Sequence, residues 1–164
     1  RLEKSAASRS RNETENAIIT EIAKGATAEI PEAMVEKQEE YSMQRMEYSL
    51  MYQGIRLDDY LKYVGQTRDE YKKHFEEEAR RTVLHQLIVE KLIKELSITA
   101  SEEEIAEKVA EQAASVGKEA EEYRKTMDPR QLEYIEGDIK VTKLFDYLEA
   151  NNEMVKAETK EENK

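Results

Sequence analysis

Apolar residues recur at helical spacing along nearly the whole chain, and glycines and capping residues separate the segments. The pattern predicts a charged first helix over residues 2–24, which Gly25 ends, followed by a short extended connector. A second helix is expected over residues 31–53. Pro31 suits its first position because a helix's first N–H groups have no partner within the helix, and Gly54 ends it.

The middle of the chain carries a short helical segment and then a long one. The short helix is expected over residues 57–64, closed by Gly65. Thr67 and Glu70 have the spacing of a capping box, which opens the long helix. Over residues 83–96 apolar side chains occupy nearly every side of that helix. A helix that is apolar all round is buried, so this part is expected to be a central strut.

The last third repeats the same signals. Ser101 and Glu104 form a second capping box, whose helix ends near Gly117. Helical pieces follow over residues 119–127 and 130–149, the second weakened midway by a glycine. An apolar stripe on the last helix is expected to dock on the strut through Val141, Leu144, Phe145 and Leu148. No strand pattern appears, and the predicted fold class is all-α.

The segments are expected to form one helical domain over residues 1–150. We divide it into a first helix and connector (1–30), a middle part (31–96) and a closing part (97–150). The polar tail, residues 151–164, is expected to be disordered. Because the chain begins without methionine, inside a predicted helix, we expect it to be a fragment of a longer protein.

Five of the 9 tyrosines and three of the 6 methionines lie between Tyr41 and Tyr63. On a helical wheel of the second helix, eight apolar and aromatic residues fall into two stripes on opposite sides. The stripes are Met34, Tyr41, Tyr48 and Tyr52 on one side, and Val35, Met43, Met46 and Leu50 on the other. Either both stripes are covered within the chain, or one is core and the other stays partly open. Sequence alone leaves this choice undecided.

Composition excludes several classes of function. The chain carries 26 Lys+Arg against 37 Asp+Glu, a net charge of -11, which disfavours binding to nucleic acid or to anionic membrane surfaces. No apolar run is long enough to span a bilayer. The absence of cysteine excludes disulfides and thiolate chemistry.

No residue pattern indicates an enzyme, a cofactor site or a metal site. His74 and His85, the only histidines, are about 16 Å apart on one helix and cannot share a metal ion. His74 with Glu78 offers only two ligands, which is too few. No catalytic or nucleotide-binding motif occurs, and the glutamate runs are typical of solvated helix faces.

The order of the landmarks resembles the C-terminal domain of trigger factor, the bacterial ribosome-associated chaperone. The residues that carry the resemblance are RNETENAIITEIAKGATAEIP, GIRLDDYLKYVGQTRDEYKK, ITASEEEIAEKVAEQA and the closing DIKVTKLFDYLEAN. Each motif alone is only a helix boundary with apolar spacing. Their joint order covers almost the whole chain. A related helical module occurs in SurA-type periplasmic foldases, but the motif order favours trigger factor.

The resemblance implies an elongated multi-helix body whose protruding helical arms form a cradle. It also implies ATP-independent binding of nascent or unfolded polypeptides in the bacterial cytoplasm, without cofactor. The family's ribosome-docking and prolyl isomerase domains are not recognisable here, so ribosome contact is expected only through a missing N-terminal domain. No nucleic-acid or membrane partner is expected, and weak self-association is possible.

Client contacts are expected on two apolar patches, since methionine repacks around varied shapes and tyrosine supplies area with a polar end. The first patch is Tyr41, Met43, Met46, Tyr48, Met51, Tyr52, Ile55, Leu57, Tyr60 and Tyr63. The second is Tyr123, Met127, Tyr134 and Ile135. The alternative is a structural or oligomerisation module with no client-binding surface.

Overall fold

The computed structural model describes residues 2–152, with side chains from residue 9 onward, and these residues form only helices and turns. The all-α prediction is confirmed for this part of the chain. The helices are α1 (Leu2–Gly25), α2 (Glu32–Tyr52), α3 (Leu57–Val64), α4 (Arg68–Lys72), a 3₁₀ turn (Lys73–Phe75), α5 (Glu76–Glu95), α6 (Glu102–Ser115), α7 (Ala120–Thr126) and α8 (Pro129–Ala150). The chain divides into two compact units, Arg1–Glu90 and Lys91–Lys164, and the division falls inside α5.

Both predicted capping boxes are present. The Thr67 hydroxyl accepts the Glu70 N–H at 3.3 Å, and the Glu70 carboxylate accepts the Thr67 N–H at 2.8 Å. Ser101 and Glu104 exchange the same pair of bonds at 3.2 and 2.7 Å. The Thr67 N–H bond lowers the pKa of the Glu70 carboxyl. Each box satisfies N–H groups that have no partner within the helix, which is why the two helices begin where the sequence predicts.

Four helices end in the same left-handed turn. The glycines Gly54, Gly65 and Gly117 have φ of 75°, 69° and 68°, and the N–H groups of each glycine and the next residue bond back to the last helical turn. Ser97 takes this place after α5 with φ of 52°, the one non-glycine residue with positive φ in the described part of the chain. Glycine adopts this conformation without steric cost, so the sequence predicts the three glycine endings and misses the fourth.

Three local expectations are corrected by the structure. Pro31 precedes α2 as its cap, and its carbonyl accepts the N–H of Met34 at 2.9 Å. The predicted long helix is interrupted by the 3₁₀ turn at Lys73–Phe75. The last helix runs unbroken through Gly137.

A third capping box explains why α8 is longer than predicted. The Asp128 carboxylate accepts the Gln131 N–H and the Gln131 side chain accepts the Asp128 N–H, both at 2.9 Å. Pro129 then occupies the first helical position, where a missing N–H costs nothing. The helix therefore starts one residue earlier than expected.

The prediction of a strut buried on every side is wrong. In α5 only Ala79, Val83 and Ile88 are buried, while the other apolar residues there are half-buried. Leu96, just after the helix, is 38% exposed. The wheel pattern shows that apolar residues surround the helix, but burial also requires neighbouring elements on each side. The docking of the apolar stripe of α8, which begins at Val141, on this helix stays a prediction.

The core of the first unit forms where α2 meets α3 and the 3₁₀ turn. Met43 and Leu50 of α2 pack with Leu57 and Leu61 of α3. Half-buried side chains close around this cluster: Met46, Tyr60, Tyr71 and Phe75. Burying these four side chains removes apolar surface from water, and each Å² buried stabilises the fold by roughly 25 cal/mol. This cluster therefore fixes which face of α2 points inward.

Ion pairs accompany this core along α2. Arg80 donates two bonds to the Glu32 carboxylate, at 2.8 and 3.0 Å, and Arg68 donates one to Glu40 at 2.9 Å. They join α2 to the segment that runs back beside it, in antiparallel order. Exposed pairs contribute little to stability, so they fix register more than they hold the unit together.

One core cluster of the second unit is built from three buried aliphatic residues. Ile105 and Val109 of α6 pack on Ile135 of α8, with Leu132, Ile139, Tyr123 and Met127 around them. The Lys143 ammonium donates to the Thr99 carbonyl at 2.8 Å and to both Glu104 oxygens at 2.8 and 3.0 Å. Asn151 and Asn152 donate side-chain bonds to carbonyls of α8. The rest of the predicted tail, residues 153–164, lies outside the described residues.

Candidate functional surface

The two stripes of α2 have opposite fates. Val35 and Met43 are fully buried at 0% exposure, Leu50 is buried and Met46 is half-buried. On the other side three tyrosines are exposed, while Met34 is half-buried. This exposed side of α2 is made by Tyr41 (56% exposed), Tyr48 (61%) and Tyr52 (89%), and we call it the tyrosine face. The structure therefore resolves the choice that the wheel leaves open: one stripe is core and the other is open.

A small depression lies at the end of α2, beside Met51 and Ile55. Met51 is 61% exposed and Ile55 is 40% exposed. The turn at Gly54 places Ile55 beside the helix end, with its N–H bonded to the Leu50 carbonyl at 2.9 Å. This hollow, which we call the tip depression, has a volume of about 180 Å³. It is lined by Glu47, Met51, Ile55, Arg56, Leu57 and Asp58. Its apolar side chains and its charged rim are within reach of one peptide side chain.

The short helix α3 supports this surface from beneath. Leu57 and Leu61 point into the core, whereas Tyr63 is 89% exposed. Tyr60 meets Tyr71 edge to face at 5.7 Å between ring centroids, and their hydroxyl oxygens lie 3.3 Å apart. The hydrogen bond to Tyr60 raises the pKa of Tyr71, and burial adds to this shift. This ring pair anchors α3 rather than facing solvent.

The second unit carries a separate pocket of about 310 Å³. We call it the α8 pocket; it lies among α6, α7 and the start of α8, and all four residues of the predicted second patch line it. Tyr134 is 76% exposed at its rim, Tyr123 and Met127 are half-buried, and Ile135 is 2% exposed. Its polar lining residues are Gln112, Asp128, Arg130 and Gln131. The four predicted residues are thus brought together in space.

Burial corrects the candidate set at three positions. Met43, Leu57 and Ile135 have 0%, 5% and 2% of their surface exposed, so they are core residues, although Leu57 and Ile135 also line the two hollows. Spacing placed them beside exposed residues, but each points the other way on its helix. Four candidates are half-buried: Met46, Tyr60, Tyr123 and Met127. The exposed candidates are Tyr41, Tyr48, Met51, Tyr52, Ile55, Tyr63 and Tyr134.

Sequence reasoning missed two kinds of residue on these surfaces. Val64, next to Tyr63, is 37% exposed and extends the apolar area of α3. Arg56 and Arg130 line the two hollows and add guanidinium donors to otherwise apolar and acidic walls. Their place beside a turn and a helix start could have been noticed, but a lone arginine in a sequence this charged carries no signal.

The titratable residues lie in ordinary structural surroundings. The His74 ring lies 3.2 Å from the Gln66 side-chain oxygen and stacks edge to face on Tyr71. Burial, and then Arg81, lowers the pKa of His85. Within residues 9–152 no cluster of three potential metal ligands is found, and no described helix is long and apolar enough to cross a membrane. The exposed apolar surfaces are the features that stand out in the described part of the chain.

With one side of α2 in the core and three exposed tyrosines on the other, the chain carries a candidate interaction surface. Comparison with known sequences gives the family. The sequence model of the bacterial trigger factor protein C-terminus matches residues 1–150. The chain belongs to this family, and the resemblance read from its motifs is confirmed.

Individual relatives agree with the family match. Trigger factor of Ruminiclostridium cellulolyticum is 32% identical over 151 residues, which cover 92% of this chain and 35% of that protein. Trigger factor of Clostridioides difficile is 31% identical over 151 residues, with the same shares, and that of Thermoanaerobacter pseudethanolicus is 32% identical over 137 residues, 84% of this chain and 32% of that protein. The chain thus spans about a third of the length of these relatives. No solved structure matches it.

Proposed function

We propose that this chain is an ATP-independent chaperone module that binds unfolded or nascent polypeptides and keeps them from aggregating. One observation carries the proposal: the tyrosine face of α2 is open, although Val35, Met43 and Leu50 on the opposite side of the same helix are buried. A helix that served only as scaffold would have no use for three exposed tyrosines in one line. Membership of the trigger factor family supports the same function.

The chemistry of the face suits clients of varied sequence. Tyrosine contributes a large apolar ring with few rotatable bonds and keeps its hydroxyl in water, so the face stays soluble when empty. Met51 is unbranched and repacks around different side chains. Glu47 and Asp58 at the tip depression add charge beside the apolar surface, which opposes self-association. The apolar surface can therefore adapt to different side chains, while the neighbouring charges oppose self-association.

The α8 pocket is proposed as a second contact for the same client. It offers Tyr134 and Met127 in a concave setting, where one aromatic or aliphatic side chain would fit. Weak contacts at two places on one polypeptide add through effective concentration, so holding needs no tight site. Release then follows from the weakness of each contact and requires no nucleotide.

Properties of the whole family are proposals for this chain because it spans only a third of its relatives. We expect the whole protein to act in the bacterial cytoplasm, to reach the ribosome through a separate N-terminal domain, and to carry a prolyl isomerase domain elsewhere. No catalytic role is proposed for residues 1–164. Weak self-association through the tyrosine face is the competing use of the same surface.

The direct test is binding of a permanently unfolded, fluorescently labelled polypeptide, without nucleotide. The double variant Tyr48→Ser/Tyr52→Ser should bind about tenfold more weakly, because two rings lose their contact area. Its free energy of unfolding should change by less than about 0.5 kcal/mol, since both side chains are exposed.

Tyr147→Ser is the matched control. Tyr147 is exposed on α8 but outside both candidate surfaces, so this change should leave client affinity unaltered. If the double variant binds as well as the unaltered chain, the tyrosine face is not the client surface. If it changes the sedimentation behaviour of the chain instead, the surface serves self-association.

A further inference from the structure

The methionines that the structure describes differ sharply in exposure. Met43 is fully buried, and Met34, Met46 and Met127 are half-buried. Met51 alone among these five is exposed, at 61%. It also lines the tip depression, beside Ile55 and Leu57. Its side chain is therefore open to small solutes, with both apolar and charged residues around it.

We propose that Met51 is a site of reversible oxidation to methionine sulfoxide, and that this modification weakens client binding at the tip depression. The second half of the proposal rests on the proposed function. The modification itself stands on exposure and on thioether chemistry alone.

The oxidant is a hydroperoxide, with hydrogen peroxide the simplest. With hydrogen peroxide, the sulfur lone pair attacks one oxygen, the O–O bond breaks and an S–O bond forms; the proton on that oxygen passes to the departing hydroxide, which leaves as water. Sulfur loses two electrons and the peroxide gains them. Access of the oxidant to sulfur sets which methionine reacts, so Met51 should react before Met43, which has no exposed surface.

The product changes the character of the surface. A sulfoxide is polar and accepts hydrogen bonds, so the apolar wall of the tip depression becomes hydrated. A client side chain must then displace bound water where it previously met a thioether. The core is unaffected, because Met51 makes no part of the buried cluster. Oxidation would thus tune binding without unfolding the module, and methionine sulfoxide reductases restore the thioether.

The test uses the full 164-residue chain treated with dilute hydrogen peroxide. Peptide mass spectrometry over time should show oxidation at Met51 at least about tenfold faster than at Met43. Client affinity of the chain oxidised at Met51 should be about threefold weaker than before treatment. Reduction by a mixture of the two methionine sulfoxide reductases should restore it.

Two variants assign the effect to this residue. In Met51→Leu the ratio of client affinity before and after peroxide should be close to one, whatever the starting affinity. Met154→Leu removes a methionine that lies outside the described residues, and it should lose affinity on treatment as the unaltered chain does.

The outcomes separate the two halves of the claim. Equal oxidation rates at Met51 and Met43 would overturn the modification site. Selective oxidation with unchanged affinity, or an equal loss of affinity in Met51→Leu, would overturn the effect on binding. If the untreated chain binds no client, the proposed function fails and the binding effect falls with it, while mass spectrometry still decides the modification site.

Discussion

The two units present apolar side chains to solvent in different ways. In the first unit the tyrosine face lies on the far side of α2 from the core, so surface and core share a helix but no side chain. In the second unit the α8 pocket is lined by Ile135, which is itself a core residue. Binding at the tyrosine face should therefore separate cleanly from stability, whereas the tip depression shares Leu57 with the core, and the α8 pocket shares Ile135 with it.

The largest effect is expected from the core side of α2. Met43→Ala should lower the free energy of unfolding by about 3 kcal/mol, because it leaves a cavity where a fully buried side chain was. Urea denaturation measures this loss. Met51→Ala is the matched control on the exposed side and should cost less than about 0.5 kcal/mol. Similar losses for the two variants would mean that the two sides of α2 are not distinct.

In the second unit, Ile135→Ala should lower the free energy of unfolding by about 2 kcal/mol. The loss is placed at the low end for this type of change because the vacated space adjoins the α8 pocket, where water can enter. Client affinity should fall together with stability, unlike at the tyrosine face. Tyr134→Ser, at the exposed rim, should weaken client binding with little change in urea midpoint. If Ile135→Ala left the free energy of unfolding unchanged, client binding and stability would not be coupled in the second unit.

The helix ends offer a smaller test in both units. Gly54→Ala should cost about 1 kcal/mol, since the methyl group meets open space but the positive φ disfavours any side chain. Ser97→Gly should raise the free energy of unfolding by a similar amount, about 1 kcal/mol, because glycine adopts the positive φ without strain. Thermal melting of the two variants should move in opposite directions. A lower melting temperature for Ser97→Gly would contradict the assigned backbone strain.

The smallest expected effect is a pH dependence in the second unit. The Lys143 ammonium, and then the Ser101 N–H, hold the pKa of Glu104 below its usual value of 4.5. A lowered folded pKa stabilises the fold above the unfolded pKa, and this contribution is lost as pH falls through the folded value.

The control for this effect is Glu104→Gln, which keeps an acceptor for Ser101 but has no charge. The unaltered chain should melt higher than this variant at neutral pH, and the two melting temperatures should converge as the pH falls through the lowered pKa of Glu104. A constant difference between them down to pH about 2 would show that ionised Glu104 contributes nothing.

Much of the local structure could be predicted because its causes are local. Glycine after a helix and a capping pair at its start act through bonds within a few residues, so α3, α4 and α6 begin or end as expected. Ser97 was missed because a serine gives no signal for a left-handed turn. The 3₁₀ turn was missed because no residue in Lys73–Phe75 disfavours an α-helix.

The candidate surface could be predicted only in part. The wheel separates the two stripes of α2, but methionine and tyrosine are both acceptable in a core, so spacing does not say which stripe turns inward. That is decided by long-range partners, chiefly Leu57 and Leu61 of α3, which cover Met43. The same reason explains Ile135, which lies next to exposed Tyr134 in sequence but faces α6 in the structure.

The most direct test of the central claim is an NMR titration of methyl-labelled methionines with a permanently unfolded polypeptide and no nucleotide. We predict that the Met51 methyl signal shifts or broadens as client is added, while the signal of Met43, fully buried in the core against α3, stays in place. If Met51 does not respond at saturating client, or if Met43 responds as strongly, the open face of α2 is not where the client binds.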